Sequence, residues 1–285
     1  MAILMDGRKL AQKIRKNLKA KTEYLKEKGV EPQLAVIMVG NDSASQIYVK
    51  NKKRIAEKVG IKTIDVHLPE DSSEEEVLQL IYDYNENPAV HGILVQLPLP
   101  SQINEAHVTH ASLPMKDVDG FHPVNMGHLF LNEAHSLPCT PRGIMELFKE
   151  YEIDPAGKNV VIVGRSNIVG RPMAALMLNA DATVTITHSK TRNLKQLTQQ
   201  ADILIVAVGK PNFITGDYIK DQAIVIDVGM DRAADGSLVG DVDEATVEPK
   251  ASYLTPVPGG VGPMTIAMLM KQTVEFAERS LSNGK

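Results

Sequence analysis

Residues 47–60 read "IYVKNKKRIAEKVG", and one lysine in this stretch is out of place. At about 100° per residue, Ser45, Tyr48, Lys52, Ile55 and Val59 share a helical arc of roughly 80°. Lys50, Lys53, Arg54 and Lys58 point elsewhere and read as solvent-facing charges. A lysine on the arc that should be buried has two explanations. It snorkels past Ile55 and Val59, or it is an amine whose pKa burial lowers, fit for proton transfer near neutral pH. Gln96 ends the apolar run "VHGILVQLP" (90–98). Asp117 and Asp119 lie in "KDVDG" (116–120), as turn formers or as ligand carboxylates.

The second half offers different chemistry. "VVIVGRSNIVGRP" places Gly164 and Gly170 at the end of a buried strand and in the turn of the next helix. A doubly wound domain holds a dinucleotide pyrophosphate on backbone N–H groups at such a turn. The middle glycine of G-x-G-x-x-G is absent, with Arg165 and Ser166 in its place. The next strand ends "TITHSKTRN", without the acid that usually holds an NAD ribose hydroxyl. His188, Ser189, Lys190, Thr191 and Arg192, with Arg165, suit a 2′-phosphate instead. The charge pattern therefore favours NADP, against a solvated basic loop.

The elements that would carry these residues alternate along the chain. Asp6 caps a helix to about Lys28, stopped by Gly29. "LAVIMVG" (34–40) reads as a strand buried on both faces, followed by a helix capped by Asn41, Asp42 or Ser43. "IKTIDVHLP" is a strand. "SSEEEVLQLIYDYNEN" is a helix with a capping box, and 90–98 a third buried strand. From 98 to 141 six prolines break the pattern, which reads as a linker or site loops. The helix "PRGIMELFKEYE" precedes the glycine turn. "ATVTITHS", "ADILIVAVG", "AIVIDVGM" and "YLTPVPGG" supply further strands, and "PMTIAMLMKQTVEFAER" a terminal helix. Repeated strand–helix–strand units imply parallel sheets, and 285 residues imply two domains.

Composition narrows the function. A net charge of −4, no tryptophan and 4% aromatics argue against nucleic acid as a partner. Cys139 is the one cysteine, which excludes an intramolecular disulfide and any cysteine-rich zinc site, and no metal is expected. No apolar run approaches a membrane span. The N-terminus lacks the order of a signal peptide, so the chain reads as cytoplasmic, without membrane partners.

"QLPLP" (96–100), "KDVDG" (116–120) and "PVPGGVGPMTIAML" (256–269), with Tyr48–Lys52 and "GRSNIVGRP", closely resemble the bifunctional methylenetetrahydrofolate dehydrogenase/cyclohydrolase family, almost end to end. The resemblance implies two α/β domains flanking a cleft, the second a Rossmann-like doubly wound parallel sheet binding NADP. It implies a folate-binding catalytic domain at 1–118, with the terminal helix 266–285 packing back on it, and a cofactor domain at 119–265. The implied reactions are NADP-dependent oxidation of 5,10-methylenetetrahydrofolate to the 5,10-methenyl form, then hydrolysis to 10-formyltetrahydrofolate. A homodimer working in one-carbon metabolism is implied as well.

Carried over position by position, Lys52 resembles the family's catalytic lysine and Gln96 the glutamine that hydrogen-bonds it. Tyr48 resembles the tyrosine that stacks on the aminobenzoate ring, and Asp119 the carboxylate that grips the pterin. Leu97, Pro258, Gly259 and Gly260 fall on the folate side. Gly164, Arg165, Ser166, Ile168, Val169, Ser189 and Met230 fall on the cofactor side, with Met230 where the family usually has isoleucine. The residues agree with this chemistry. The methenyl intermediate is a cation, so a neutral amine is tolerated beside it where an ammonium ion is repelled. A neutral glutamine orients that amine without fixing its charge. A rival reading is another NADP-dependent two-domain dehydrogenase, acting on a small hydroxy or amino acid. It leaves Tyr48–Lys52, Gln96 and "PGGVGPMT" without a role.

Overall fold

The computed structural model describes residues 1–233 and 236–283. In chain order, β1 (Ile3–Leu4) leads into α1 (Gly7–Glu27). The Lys9 amide donates to Asp6 Oδ1 at 2.9 Å, and Gly29 follows the helix at φ +84°. β2 (Gln33–Val39), α2 (Ser43–Val59), β3 (Lys62–Leu68), α3 (Glu74–Glu86) and β4 (Gly92–Val95) come next. Every residue of β2 is buried, as a continuous apolar run requires of a central parallel strand. Asp42 is the cap of α2, accepting from the Ser45 amide at 2.7 Å, and Gly60 ends the helix at φ +82°. Ser73 and Glu76 form the expected capping box on α3.

The Pro-rich stretch holds more order than its composition suggests. It contains α4 (Glu105–Ala111) and α5 (Pro123–Phe130), and α6 (Cys139–Glu150) begins before its last proline. Asn104 caps α4 through its side chain. Between these helices the backbone runs beside β4: the Ile93 amide donates to Lys116 O at 2.8 Å, and Ile93 bridges Asp117 in parallel.

The remaining elements are β5 (Asn159–Val163), α7 (Gly170–Asn179), β6 (Thr183–Thr187), α8 (Leu194–Thr198) and β7 (Ile203–Val206). They are followed by β8 (Ile224–Asp227), β9 (Asp231–Arg232), β10 (Leu238–Val239), α9 (Glu244–Val247), β11 (Tyr253–Leu254) and α10 (Val261–Asn283). The two-residue strand β1, the β9–β10 hairpin and the short helices α8 and α9 carry no periodicity long enough to read from sequence.

The chain folds as two compact units. One comprises Met1–Gln12, Leu129–Glu133 and Thr140–Thr265. The other comprises Lys13–His128, Ala134–Cys139 and the chain from Ile266 onward. The boundary drawn in sequence at 118/119 thus falls inside the second unit, because the 116–120 segment is held against β4. Residues 1–12 belong with the first unit, because β1 pairs β11 in parallel.

The first unit holds a parallel sheet of order β1-β11-β8-β7-β5-β6. Val161, Val163, Leu204, Val206 and Val225 fill one of its faces. Counted from β5, its first five strands run 2-1-3-4-5, the other common doubly wound order rather than the six-strand Rossmann one. The order reverses between β5 and β7. The second unit holds a parallel sheet of order β3-β2-β4, which reverses between β3 and β4, at β2. Ala35, Ile37, Val39, Val77, Ile81 and Ile93 form its core. In such sheets ligands bind outside the carboxyl ends of the strands, where the order reverses.

Candidate active site and cofactor turn

α2 leaves the carboxyl end of β2 through Gly40, whose φ of +80° turns the chain. On α2, Ser45, Lys52 and Val59 are buried, Tyr48 and Ile55 are half-buried, and Lys50, Lys53, Arg54 and Lys58 are exposed. Lys52 keeps only 6% of its surface exposed. It does not snorkel. Its Nζ donates to Gln96 Oε1 at 3.0 Å and lies 4.6 Å from the centre of the Tyr48 ring.

Gln96 follows β4, and its amide continues the sheet by donating to Ile37 O at 2.8 Å. Its Nε2 donates to Leu97 O at 2.7 Å, which fixes the amide so that Oε1 faces the lysine. Ser45 Oγ donates to the same Leu97 carbonyl at 3.5 Å. The Leu97–Pro98 peptide is cis. Lys52 therefore meets an acceptor that carries no charge. Among the described residues no carboxylate lies within ion-pair distance of it.

Asp119 reaches the same place by a different route. Ile93 pairs in parallel with Asp117, so two residues further along both chains Asp119 stands level with Val95, near the carboxyl end of β4. Its charge is felt at both Tyr48 and Lys52. Tyr48 and Asp119 each keep some exposed surface, but protein surrounds their ionisable ends closely enough to desolvate them. Burial drives the Lys52 pKa below the usual lysine range, opposed by Asp119 and Cys139. Burial pushes Asp119 up to about 7; Lys52 pulls it down and Asp117 pushes it further up. Burial raises the Tyr48 phenol, with smaller pushes from Asp119 and Cys139. Two groups whose pKa values move toward neutrality from opposite sides are suited to proton exchange.

The two carboxylates of "KDVDG" are not equivalent. Asp117 is 4% exposed and accepts from the Gly120 amide at 3.0 Å, the His122 amide at 2.8 Å and Asn125 Nδ2 at 2.9 Å. It is the turn former, and Asp119 is the carboxylate whose charge is felt at Tyr48 and Lys52. Two further residues here were not singled out in sequence. Cys139 is buried and donates Sγ–H to Val118 O at 3.1 Å. Gln272 on α10 is 1% exposed. Its spacing from Leu269 and Phe276, i+3 and i−4, was the available signal, the same one that marks Lys52.

In the first unit, Gly164 ends β5 at φ +124°, and a Cβ there would lie 2.2 Å from Ala207 O at the end of β7. A Cβ on Gly170 would lie 2.3 Å from Gly164 O. Both glycines are required by close backbone approach at the point where the strand order reverses. Ser166 Oγ accepts from the amides of Val169 and Gly170 at 3.2 and 3.4 Å, which closes the turn onto α7. Val163 pairs Thr187, so Arg165 and Ser189 lie at one level, two residues beyond the paired strand ends. Both are exposed, and no acidic residue occupies 188–192. Ile168 and Met230 are 47% and 54% exposed. A glycine cradle, exposed apolar side chains and surface cations fit a phosphorylated dinucleotide.

Pro258, Gly259 and Gly260 also lie in this unit, against the start of α1. The Arg8 amide donates to Gly259 O at 3.1 Å, and Arg8 Nη2 to Pro258 O at 3.3 Å. The structure thus brings Tyr48, Lys52, Gln96, Leu97 and Asp119 to one place in one unit. It brings Gly164, Arg165, Ser166, Ile168, Val169, Ser189 and Met230 into the other, together with Pro258–Gly260. Among the described residues no group of three His, Cys, Asp or Glu side chains is placed to hold a metal ion.

Two parallel α/β units, one with a desolvated amine and the other with a dinucleotide-type glycine turn, define a two-domain dehydrogenase class. Residues 5–119 match the catalytic-domain model of tetrahydrofolate dehydrogenase/cyclohydrolase, and residues 138–281 match that family's NAD(P)-binding domain. The chain belongs to the tetrahydrofolate dehydrogenase/cyclohydrolase family. It is 62% identical over 282 residues to the bifunctional protein FolD of Ligilactobacillus salivarius, covering 99% of each chain. It is similar to the crystal structure of the bifunctional enzyme FolD, a methylenetetrahydrofolate dehydrogenase/cyclohydrolase, of Campylobacter jejuni. That likeness has a TM-score of 0.97 and 52% identity over 98% of this chain and 99% of that one. The Trypanosoma brucei enzyme, solved with NADP cofactor and inhibitor, gives a TM-score of 0.94 at 39% identity over 98% of each chain. A dehydrogenase of small hydroxy or amino acids is not favoured by this family membership.

Proposed function

We propose that the chain oxidises 5,10-methylenetetrahydrofolate to the 5,10-methenyl form with NADP and hydrolyses that product to 10-formyltetrahydrofolate, with Lys52 moving the proton in hydrolysis. The observation that carries the assignment is a buried lysine whose hydrogen-bonded side-chain partner is the uncharged Gln96. Burial favours the neutral amine. A neutral amine takes a proton from the attacking water and returns it to the leaving ring nitrogen. A carboxylate at position 96 would stabilise the ammonium ion, which repels a methenyl cation.

Tyr48 supplies the flat face for the aminobenzoate ring, one helical turn before Lys52. Asp119 accepts hydrogen bonds from pterin N–H groups, which suits it once ionised. Leu97 and the Pro258–Gly260 loop are assigned to the folate as well. NADP, when bound, supplies the hydride acceptor. The Gly164–Gly170 turn would hold its pyrophosphate, Arg165 and Ser189 its 2′-phosphate, and Ile168, Val169 and Met230 its apolar surfaces. The unit of Lys13–His128, Ala134–Cys139 and the chain from Ile266 onward is proposed as the folate-binding catalytic part, and the unit of Met1–Gln12, Leu129–Glu133 and Thr140–Thr265 as the cofactor part. The proposed assembly is a homodimer and the proposed setting the cytoplasm; light scattering and cell fractionation test these. Among the described residues no helix is long and apolar enough to cross a membrane.

The deciding experiment is a two-step assay on wild type and Lys52→Met, following methenyl absorbance after mixing protein, NADP and methylenetetrahydrofolate. The variant is expected to accumulate the methenyl form. Hydrolysis at the wild-type rate would overturn the role of Lys52.

A further inference from the structure

Asp119 does not hold itself in place. The carbonyls of both residues before it are held by other groups, and they converge on one side chain of α10. Gln272 Nε2 donates to Val118 O at 2.8 Å, to Ser136 Oγ at 2.9 Å and to Leu137 O at 3.1 Å. Its Oε1 accepts from the Leu137 amide at 3.1 Å. Ser136 passes the connection on, donating Oγ–H to Asp117 O at 2.9 Å. Cys139 Sγ adds a second donor to Val118 O. After Asp119, Gly120 adopts φ +76° and packs so closely on 137–138 that a Cβ would lie 2.5 Å from Leu137 C and Pro138 N.

The 117–120 loop is therefore fixed against the 136–139 segment, and the joint is Gln272. An amide with this many partners, 1% exposed, has no freedom to relax when one is lost. We propose that Gln272 is a positioning residue for the folate reactions: it sets the Val118 and Asp117 carbonyls, and through them the direction of the Asp119 carboxylate. This rests on the reading of Asp119 as the pterin ligand. Gln272 touches no substrate in this account. Its effect belongs to folate binding and orientation, because an ångström-scale shift of Asp119 misplaces the pterin.

The test compares Gln272→Met, Ser136→Ala and Asp119→Asn by dehydrogenase kinetics, NADP binding and thermal melting. Gln272→Met keeps the length of the side chain and removes the amide. Its KM for methylenetetrahydrofolate is expected to rise about tenfold, with kcat within about twofold and the NADP Kd unchanged. Ser136→Ala removes one link and is expected to raise the same KM by a smaller factor. A lowered melting temperature with a wild-type folate KM in Gln272→Met would make the amide merely structural and overturn the proposal. Should that variant not fold, an unchanged folate KM in Ser136→Ala overturns it, and a raised KM supports it. Asp119→Asn separates the two readings. If it leaves folate binding unchanged, the Asp119 assignment fails; if it weakens binding while Gln272→Met and Ser136→Ala do not, only the positioning role fails.

Discussion

At the carboxyl ends of β2 and β4 the chain offers side chains: Lys52 on Gln96, over Tyr48, with Asp119 arriving beside them. At the carboxyl ends of β5 and β7 it offers backbone, with Gly164 against Ala207 and Gly170 against Gly164. Both places are reversals of strand order in a parallel sheet. They differ because their tasks differ. Proton transfer needs an ionisable group whose pKa can be moved, and moving it takes burial. Holding a diphosphate needs N–H donors at close range, so side chains must be absent at the turn and cations stay in solvent at its rim. One site is polar and dry, the other bare and wet. The same topology supplies only the place.

The contrast is broken most directly by Lys52→Met. Removing a general acid–base group costs typically 10²–10⁴-fold, so hydrolysis of supplied methenyltetrahydrofolate is expected to fall by at least about 100-fold. Hydride transfer depends more on orientation and is expected to fall less. Gln96→Glu sharpens the point by keeping the geometry and adding charge. The Lys52 pKa should rise, so the pH at which hydrolysis reaches half its maximum should move upward. A pH–rate profile identical to wild type would remove Gln96 from the electrostatic account.

Gly164→Ala attacks the other site. A methyl group 2.2 Å from Ala207 O cannot be accommodated without backbone movement, and φ of +124° is strained for alanine. A loss of about 1–3 kcal/mol is expected, read as a lower melting temperature and weaker NADP binding. Arg165→Ala is gentler. NADP affinity is expected to fall roughly tenfold, the order of one exposed charge-assisted contact, with NAD affinity unchanged. Equal loss for both cofactors would mean that Arg165 does not touch a 2′-phosphate.

The two sites were unequally legible before the fold was seen. Lys52 could be found because helical periodicity converts spacing into direction, and every residue of its arc is buried or half-buried while the other basic residues of the helix are exposed. The glycine turn could be found because close backbone approach leaves a residue-type mark. Asp117 and Asp119 are told apart in sequence only by the family resemblance, since their physical difference lies in hydrogen bonds to Gly120, His122 and Asn125, which spacing does not encode. Ser136 and Cys139 were hidden for the same reason, the one meeting Gln272 from 136 positions away and the other the Val118 carbonyl from 21. The 98–141 stretch looked unstructured because its helices are seven and eight residues long, too short to show a period. Strand β1 has two residues and no pattern.

The smallest expected effect concerns stability, and it distinguishes a desolvated site from a solvated one. Asp119 titrates at 3.8 when unperturbed and at about 7 in the folded chain. Between those values the folded state holds a proton that the unfolded state has released. Its contribution to stability is therefore present below about pH 4 and is lost as pH rises toward 7. An amide in place of this carboxyl carries no such proton, so Asp119→Asn should gain on wild type as pH rises. The difference in melting temperature, variant minus wild type, is expected to be more positive at pH 8 than at pH 5, by roughly 2–4 °C for each kcal/mol of linked stability. Lys52 acts in another window. Its lowered pKa makes stability rise with pH between that value and 10.5; Asp119→Asn removes a charge that opposes the lowering, which widens this window in the variant and adds to the difference in the same direction. Arg165→Ala, made in solvent at the other site, should show a difference that does not change with pH. If Asp119→Asn behaves like Arg165→Ala in this comparison, the Asp119 carboxylate is solvated, and the contrast between a dry proton-transfer site and a wet cofactor site fails at its most accessible point.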